Sequence, residues 1–429
     1  MKKIIFSILF SISMLFAQSE ASGLVDSVYW VDMHNGNDSN NGTSAATAFK
    51  TIHKVLATNT YLSSEVVTTT IKVMPSVVAG SPNGYYDFGD SELYLATSND
   101  FELIGVAGPD STIFDAESKN RHMSLDDGQS NKSIIQGITF INGKSTNWPD
   151  GGSIYISMST NIQFIDCVWK NNSSSYGSDG GGAIHIRDKA TPSFTSCVFD
   201  SNFVDVDDNS TSGGAISIQY PQNETDLKSA IKIKKSKFSN NYVKAKYQAT
   251  GGAIHSRRAI EIENSLFVNN GAISNNGGSN NSSFGGAIAL NINWYDNGYK
   301  IADAYIKNST FHGNYIKSLS SSTGDMVGAA IAHAQWDNAG QKTFIFNTII
   351  TGSRALVVND TTDYDTSNLS SNYKKRLIVG EANSGNNKLT MDYSNVQAST
   401  SGSGWGDYVY NVSAAYKDTS NNDYSLSDK

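Results

Sequence analysis

Apolar and polar residues alternate in short runs along most of this chain. Ile184 and Ile186 are two residues apart, and so are Ile216 and Ile218. A spacing of two places both side chains of a pair on one face of a β-strand, which a helix would not do. Gly, Asn and Ser residues separate the runs. The pattern therefore predicts many short strands joined by tight corners.

Two motifs recur in alternation. The first is Gly-Gly-Ala-Ile, whose four full and two weaker copies begin at Gly181, Gly213, Gly251, Gly285, Gly151 and Gly328. The second is small, any, aromatic, any, any, Asn, and its copies begin at Cys167, Cys197, Ser236, Ser265 and Ser309. The steps between successive aromatic residues are 30, 39, 29 and 44 residues. Motifs that persist while the spacing between them varies are typical of a solenoid, in which stacked coils bury one continuous core.

The coils are expected to run parallel, about 4.8 Å apart, with each isoleucine stacked on the isoleucine of the coil below. Burying one such side chain contributes about 1.5 to 3 kcal/mol. The Asn that ends the second motif tolerates left-handed backbone and bonds backbone groups at turns. We therefore predict a structural ladder at one corner, formed by Asn172, Asn202, Asn241, Asn270 and Asn314.

These two motifs resemble those of a known superfamily. The chain looks like the right-handed parallel β-helix superfamily of the pectin-lyase type, and its repeats are similar to those of the polymorphic outer membrane protein family. The resemblance covers residues 28 to 425. It implies an all-β fold: a single right-handed parallel β-helix solenoid with an N-terminal helical cap. It says little about function, because this fold hosts polysaccharide lyases, hydrolases, adhesins and plain spacers.

Three segments are expected along the chain. Residues 1–21 have two lysines followed by an apolar stretch and small residues, as in a secretory signal peptide. Residues 22–60 are predicted to form a cap, with a strand at residues 28–31 and an amphipathic helix around residues 48–56 whose N-cap is Thr47. Residues 61–429 are predicted to form the β-helix, most regular at 135–350. Either the chain is cut short at its C-terminus, or something outside it retains it at a surface.

The composition limits the classes of partner that the protein can bind. Charged residues make up 17% of the chain and the net charge is −8, which argues against nucleic acid, since that partner needs clustered Lys and Arg. No segment after the signal is apolar enough to span a membrane. We expect a secreted or cell-surface monomer. Cys167 and Cys197 occupy the small position of adjacent coils, where a disulfide would be strained, so none is predicted.

Two loops are rich in oxygen ligands. They contain Asp32, Asn35, Asn37, Asp38 and Asn40, and Asp205, Asp207 and Asp208. Calcium binds such oxygens, but the first loop lacks the bidentate Glu and the ligand spacing of an EF-hand loop. Turn formation is the favoured explanation, so we predict no metal centre and no cofactor and keep calcium as the alternative.

The predicted register assigns one column of side chains to the outside of the Gly-Gly-Ala-Ile strands. It contains Tyr155, His185, Ser217, His255 and Ala289, and the column two residues further on contains Ser157, Arg187, Gln219, Arg257 and Asn291. The candidate ligand-binding residues are therefore Tyr155, His185, Arg187, Gln219, His255 and Arg257. Two arginines on one face could hold an acidic polysaccharide. In a lyase, one of the two histidines or Tyr155 would be the base.

No catalytic residue can be assigned from motifs. The Arg-x-Pro-x-x-Arg motif of pectate lyases is missing, and no Asp-Asp pair like that of polygalacturonases lies on a coil strand. The adhesin-like repeats favour an exported β-helix that binds a polysaccharide or a surface protein without catalysis. The alternative is a polysaccharide lyase or glycoside hydrolase acting on an acidic polysaccharide. Loop aromatics that could contact sugar or pack on the coils are Trp294, Tyr295, Tyr299 and Trp336.

Overall fold

The computed structural model describes most of the chain from residue 26 onward. The described residues are 26–58, 68–77, 85–88, 92–94, 99–175, 180–220, 226–227, 229–275, 282–290, 300–301, 303–319, 326–334, 342–357, 379–382, 389–392, 395–396, 416–418 and 423–426. The predicted signal peptide and the aromatic residues at 294, 295, 299 and 336 lie outside them.

Within these described residues, the chain winds through five parallel sheets, which we number in the order in which one coil visits them. Sheet 1 has eleven strands: Ser27–Val31, Thr68–Val73, Asp100–Gly105, Ile134–Gln136, Gln163–Ile165, Ser193–Thr195, Ile231–Lys234, Ile260–Glu263, Ala304–Lys307, Thr343–Phe346 and Leu389–Asp392. Sheet 2 has ten: Tyr86–Asp87, Ile113–Asp115, Thr139–Ile141, Val168–Lys170, Val198–Asp200, Lys237–Ser239, Leu266–Val268, Thr310–His312, Ile349–Thr351 and Asn395–Val396.

The other three sheets complete each coil. Sheet 3 has seven strands: Lys144–Ser145, Ser173–Ser174, Phe203–Asp205, Tyr242–Ala245, Gly271–Ser274, Tyr315–Ser318 and Arg354–Val357. Sheet 4 has four: Thr211–Ser212, Gln248–Thr250, Ser282–Phe284 and Met326–Val327. Sheet 5 has nine: Leu93–Tyr94, Met123–Leu125, Ile154–Ile156, Ile184–Ile186, Ile216–Ile218, Ile254–Ser256, Ile288–Leu290, Ile331–Ala334 and Val379–Ala382.

Two small sheets lie apart from these five. Asp226–Leu227 pairs in parallel with Lys300–Ile301, and Tyr416–Asp418 pairs antiparallel with Asp423–Leu426. Because neighbouring strands of the five main sheets come from successive coils and run parallel, the fold is the predicted all-β parallel β-helix. Among the described residues, no helix is long and apolar enough to cross a membrane.

The predicted side-chain register is confirmed inside the tube. Ile154 pairs with Ile184, which pairs with Ile216, and all three are fully buried. One cluster of buried apolar side chains runs from Tyr29 to Ile350 through the interior. The core is therefore long and thin, and each coil rests mainly on the coils directly above and below it.

The aromatic positions of the second motif form a stack in the interior. Ring centroids are 4.6 Å apart for Trp169 and Phe199 and also for Phe199 and Phe238. The distance is 4.8 Å from Phe238 to Phe267 and 4.7 Å from Phe267 to Phe311, and the rings are within 5° of parallel. A separation equal to the strand spacing means that the rings repeat with the coils.

The five asparagines of the same motif form a continuous buried hydrogen-bond ladder. Oδ1 of Asn202 accepts from the backbone N–H of Asn172 at 3.1 Å and from its Nδ2 at 2.9 Å. Nδ2 of Asn202 donates in turn to the carbonyl of Trp169 and to Oδ1 of Asn241. The same bonds continue through Asn270 and Asn314. The ladder satisfies backbone groups that the corner removes from the sheets.

The small position of the second motif is also inside the tube. Cys167 and Cys197 are both buried and neither is in a disulfide. The backbone N–H of Cys197 donates to the hydroxyl of Ser236, and Ser236 bonds Ser265 in the same way, both at 3.2 Å. Burial raises the pKa of the Cys197 thiol to about 12, so both positions act as small packing residues.

The N-terminal cap differs from its predicted form. The helix is only Ile52–Leu56, and its N-cap is Thr51, whose hydroxyl accepts from the N–H of Lys54, instead of the predicted Thr47. Thr47 ends a short 3₁₀ turn, Ala45–Thr47. Phe49 is not helical because its backbone pairs with Val31 of the first strand. Pairing with that strand uses the backbone groups that a longer helix would need.

Sheet 4 was not predicted, and it changes the outside of the molecule. Its strands immediately precede the Gly-Gly corners and lie against the outer face of sheet 5. Phe284 and Val327 of sheet 4 pack on Ala289 and Ala332, which project outward from sheet 5. The hydroxyls of Ser212 and Ser217 are 3.2 Å apart across the same boundary. The coils at this level therefore have a second layer outside the tube.

Candidate functional site

The predicted outward column of sheet 5 exists, but most of it does not reach solvent. Tyr155 pairs with His185, His185 with Ser217 and Ser217 with His255. His185 and Ser217 are fully buried, His255 is 1% exposed and Ala289 is fully buried. The expectation of a solvent-exposed histidine face is therefore wrong, because the segments before the Gly-Gly corners cover these side chains.

The two histidines are held under this covering layer. Nδ1 of His185 lies 3.1 Å from the carbonyl oxygen of Gly180. Neither ring nitrogen of His255 has a hydrogen-bond partner among the described residues. Burial, with Arg257 and His185 nearby, holds the pKa of His255 well below its usual range. His255 is therefore neutral, and neither histidine can reach a ligand on this surface.

The arginines of the neighbouring column are half-buried, and each packs on an aromatic ring. The guanidinium carbon of Arg187 lies 5.4 Å from the ring centroid of Trp148, and that of Arg257 lies 5.9 Å from the ring of Tyr220. Gln219, between the two arginines in the register, is 3% exposed and donates to Ser217 at 2.9 Å. Stacking of this kind orients a guanidinium group while leaving its charge available.

A cleft of about 550 Å³ lies on the N-terminal part of sheet 5. Two of the predicted ligand-binding residues, Tyr155 and Arg187, line it, while His185, Gln219, His255 and Arg257 do not. The remaining lining residues with charged or aromatic side chains are Glu92, Tyr94, Asp126, Trp148 and Asp188. Trp148 and Tyr94 are both 56% exposed. The structure thus brings together a charged and aromatic site that the sequence did not reveal.

The register explains how these residues come together. Tyr94 pairs with Ser124, and Ser124 pairs with Tyr155, so the outward column continues two coils further toward the N-terminus. Sequence reasoning missed this continuation because the strands at Leu93 and Met123 have no Gly-Gly motif before them. The alternation in Leu93-Tyr94 and Met123-Ser124-Leu125 was the signal that could have extended the column.

Glu92 is a partly buried carboxylate at one end of the cleft. One of its oxygens lies 3.2 Å from Nε of Arg121, and the other accepts a hydrogen bond from the hydroxyl of Ser124. Burial raises the pKa of Glu92, although Arg121 and Ser124 oppose that effect. An acid with a raised pKa in a cleft can donate a proton near neutral pH more readily than an ordinary carboxyl group.

Asp126 and Tyr94 are two further titratable side chains near Glu92. Burial and the neighbouring Asp127 raise the pKa of Asp126. The same carboxylate is the main cause of the raised pKa of Tyr94. Oδ1 of Asp126 and Oδ2 of Asp127 are both buried without a hydrogen-bond partner among the described residues. Tyr94 donates a hydrogen bond to Asp126, but one oxygen of each of these two aspartates is left without a hydrogen-bond donor among the described residues.

Asp188 is held firmly at the opposite side of the cleft. Its carboxylate accepts a hydrogen bond of 2.5 Å from Ser157, and its φ of 51° is in the left-handed region. Nη1 of Arg258, a side chain that is 1% exposed, donates to the backbone carbonyls of Asp188 and Ala190 at 3.0 and 2.6 Å. Arg258 comes from a coil two levels further on, so the turn bearing Asp188 is fixed from beneath.

The oxygen-rich N-terminal loop uses its oxygens internally. Asp32 accepts from the N–H groups of His34 and Asn35, and Asp38 accepts from those of Lys50 and Thr51. In the second loop, Asp205 pairs with Lys244 at 3.0 Å. Within the described part of the chain, no group of three or more His, Cys, Asp or Glu side chains is arranged to hold a metal ion.

The fold and the cleft define a parallel β-helix protein with a solvent-open groove on one sheet. No protein-family model matches this chain, and no curated protein matches it. Among solved structures, it is similar to a rhamnogalacturonan lyase at 13% sequence identity, over 86% of this chain and 87% of that one, with a TM-score of 0.40. A likeness of this extent carries no argument about activity, and the assignment of the fold depends on the strand pairing described above.

Proposed function

We propose that this protein is an exported, surface-associated β-helix that binds a glycan in the cleft on sheet 5. The observation that carries the proposal is the pair of exposed aromatic side chains, Trp148 and Tyr94, placed in one cleft with charged hydrogen-bonding groups. Aromatic faces stack on the apolar faces of sugar rings, while carboxylates and guanidinium groups bond hydroxyls. A cleft of about 550 Å³ lies in the size range of small-ligand sites and would hold a few sugar units.

The shape of the fold supports a chain-like ligand. The outward column of sheet 5 offers a new side chain with every coil, about 4.8 Å along the axis. Arg187 and Arg257 are in one register column two coils apart, each beside a ring. A saccharide that fills the cleft could therefore continue past Arg187 along the same face. Export and surface location are part of the proposal, on the strength of the signal-like residues 1–21.

A glycan array probed with the purified protein, followed by calorimetry on each hit, tests this function. We expect Trp148→Ala to weaken binding about tenfold, the effect of losing one stacking contact in a partly enclosed site. Val106→Ala, which removes another exposed apolar side chain (42% exposed) outside the cleft, should leave the affinity unchanged. Absence of binding to any glycan, or equal effects of the two substitutions, would contradict the proposal.

A second candidate is glycoside hydrolysis at the same cleft, favoured by the raised pKa of the half-buried Glu92. In that reaction Glu92 would give a proton to the leaving sugar oxygen as the glycosidic C–O bond breaks. Asp126 or Asp188 would take a proton from the water that forms the new C–O bond. Of the three lyase bases considered from the sequence, Tyr155 lines the cleft, whereas the two histidines are covered.

Product analysis separates these possibilities. Incubation with glycans that bind should yield new reducing ends if the protein is a hydrolase, and unsaturated products if it is a lyase. For a hydrolase, Glu92→Gln would abolish turnover and keep binding, since the amide retains the shape of the side chain but cannot donate an acidic proton. Binding without either product would support the non-catalytic function and contradict both the hydrolase and the lyase.

A further inference from the structure

The charge of the cleft points to the class of glycan that it binds. Among the described residues, its lining contains three carboxylates, those of Glu92, Asp126 and Asp188, and one cation, Arg187. The guanidinium group of Arg187 is stacked on Trp148 at 5.4 Å. The cleft is thus net negative, on a chain whose net charge is −8.

This negative charge is least compensated at Asp126. Nε of Arg121 lies 3.2 Å from Glu92, and the guanidinium group of Arg258 lies beneath Asp188, so each of these two carboxylates has a cation behind it. The Asp126 carboxylate accepts a hydrogen bond from Tyr94, but its Oδ1 is buried with no hydrogen-bond partner among the described residues, and the charge that acts on it is the like charge of Asp127. A buried carboxylate oxygen without a donor is costly. A ligand that brings N–H groups and positive charge would remove that cost.

We infer that the cleft selects amine-bearing or neutral glycans over uronic acid polymers. This inference depends on the proposed glycan-binding function and names its ligand class. An ammonium group of an amino sugar would approach Asp126 and Glu92 while the sugar ring stacks on Trp148 or Tyr94. A uronate chain would bring a further negative charge on every sugar into a cleft lined, among the described residues, by three carboxylates and one arginine, and next to the uncompensated pair Asp126 and Asp127.

Three matched oligosaccharides provide the test: a glucosamine oligomer with free amines, the same oligomer fully N-acetylated, and a galacturonate oligomer of equal length. Titration calorimetry with the full chain at low salt should rank them in that order. We expect the free amine to bind about twofold to fivefold more tightly than its acetylated form, as for a partly exposed charge pair. The preference should shrink at high salt. It should also shrink as the pH falls, because Glu92 and Asp126 have raised pKa values and take up protons early.

Two substitutions with opposite effects sharpen the test. Asp126→Asn should remove most of the preference for the free amine, whereas Arg187→Gln should increase it or leave it unchanged. Asp110→Asn, which removes an exposed carboxylate outside the cleft, is the matched control and should change nothing. Thermal melting checks that each variant is folded.

The possible failures can be told apart. If the galacturonate oligomer binds more tightly than the acetylated one, or if all three bind equally, the inference about charge is overturned while glycan binding stands. The same holds if Asp110→Asn and Asp126→Asn reduce the preference equally. If none of the three oligomers, and no glycan on the array, binds in a Trp148-dependent way, the proposed function itself fails and this inference fails with it.

Discussion

The outer face of sheet 5 differs between its two ends. At the N-terminal end, which we call the open half, Tyr94 is 56% exposed and Ser124 and Tyr155 line a cleft. At the C-terminal end, the covered half, the same column consists of Ser217, His255, Ala289 and Ala332, all at most 1% exposed. The backbone of both halves is the same parallel ladder, so the difference comes from what lies outside it.

The difference arises in the segment that precedes each strand of sheet 5. In the covered half, this segment forms sheet 4 and places side chains such as Phe284 and Val327 on the column. In the open half, the corresponding chain before Ile154 carries Trp148, which is 56% exposed and stacks on Arg187. In a β-helix, the few residues that connect two coils can therefore decide whether the outer face of a sheet is buried or forms an open cleft.

A carboxylate introduced on the outer face of sheet 5 should give the largest difference in stability between the two halves. Ala289→Asp would place an unpaired carboxylate under Phe284 and Val327, and we expect it to lower the free energy of unfolding by about 4 kcal/mol. Met158→Asp puts the same group on the open half, just beyond the column strand Ile154–Ile156, at a side chain that is 63% exposed, and should cost little. Urea denaturation of both variants measures this. A small, equal loss in both would mean that sheet 4 does not cover the column.

Removing a covering side chain should have the next largest effect. Phe284 is fully buried between the layers, and Phe284→Ala would leave a cavity there. We expect a loss of about 3 kcal/mol in the free energy of unfolding. Increased binding of a hydrophobic dye would show that the apolar column has become accessible. An unchanged melting temperature would show that Phe284 is not part of a packed layer.

The covered histidine should give the fold a pH dependence. The pKa of His255 is well below its usual 6.5 in the folded chain, whereas in the unfolded chain it is close to that value. As the pH falls below about 6.5, the unfolded state takes up a proton that the folded state refuses, so stability decreases. Between about pH 6.5 and pH 5 the loss should be about 1 to 2 kcal/mol.

Comparison with His255→Phe isolates this contribution. The variant keeps a flat ring at the position and does not titrate. The other perturbed groups, including His122, whose pKa burial lowers to about 4, remain in both proteins and cancel in the difference. Parallel stability curves for the two proteins across this pH range would argue that His255 is exposed or already protonated.

The smallest effect on stability is expected at the open half. Trp148→Ala removes a large side chain, yet the side chain is more than half exposed, so the free energy of unfolding should change by less than about 1 kcal/mol. The same substitution should weaken glycan binding, as described above. A loss of stability comparable to that of Phe284→Ala would indicate that Trp148 belongs to the core and not to a binding site.

The sequence predicted the side chains inside the tube better than those outside it. Inside the tube, strict alternation identified Ile184, Ile216 and Phe238 as core residues, because only one face of a strand can point inward. Outside it, alternation identifies the residues that leave the tube but not what lies over them. His185 and Arg187 looked equivalent in the sequence, yet the first is fully buried and the second lines the cleft.

The sequence by itself determined the repeating coil: the strand period, the isoleucine and aromatic stacks, and the asparagine corner all follow from residue types that recur with the motifs. Contacts between one coil and the next are local and nearly identical, so the repeat is enough to specify them. Only the tertiary structure decided which outward side chains meet solvent. That outcome depends on where segments of irregular length, such as the one bearing Trp148, come to rest on coils distant in sequence, and no periodic pattern encodes it.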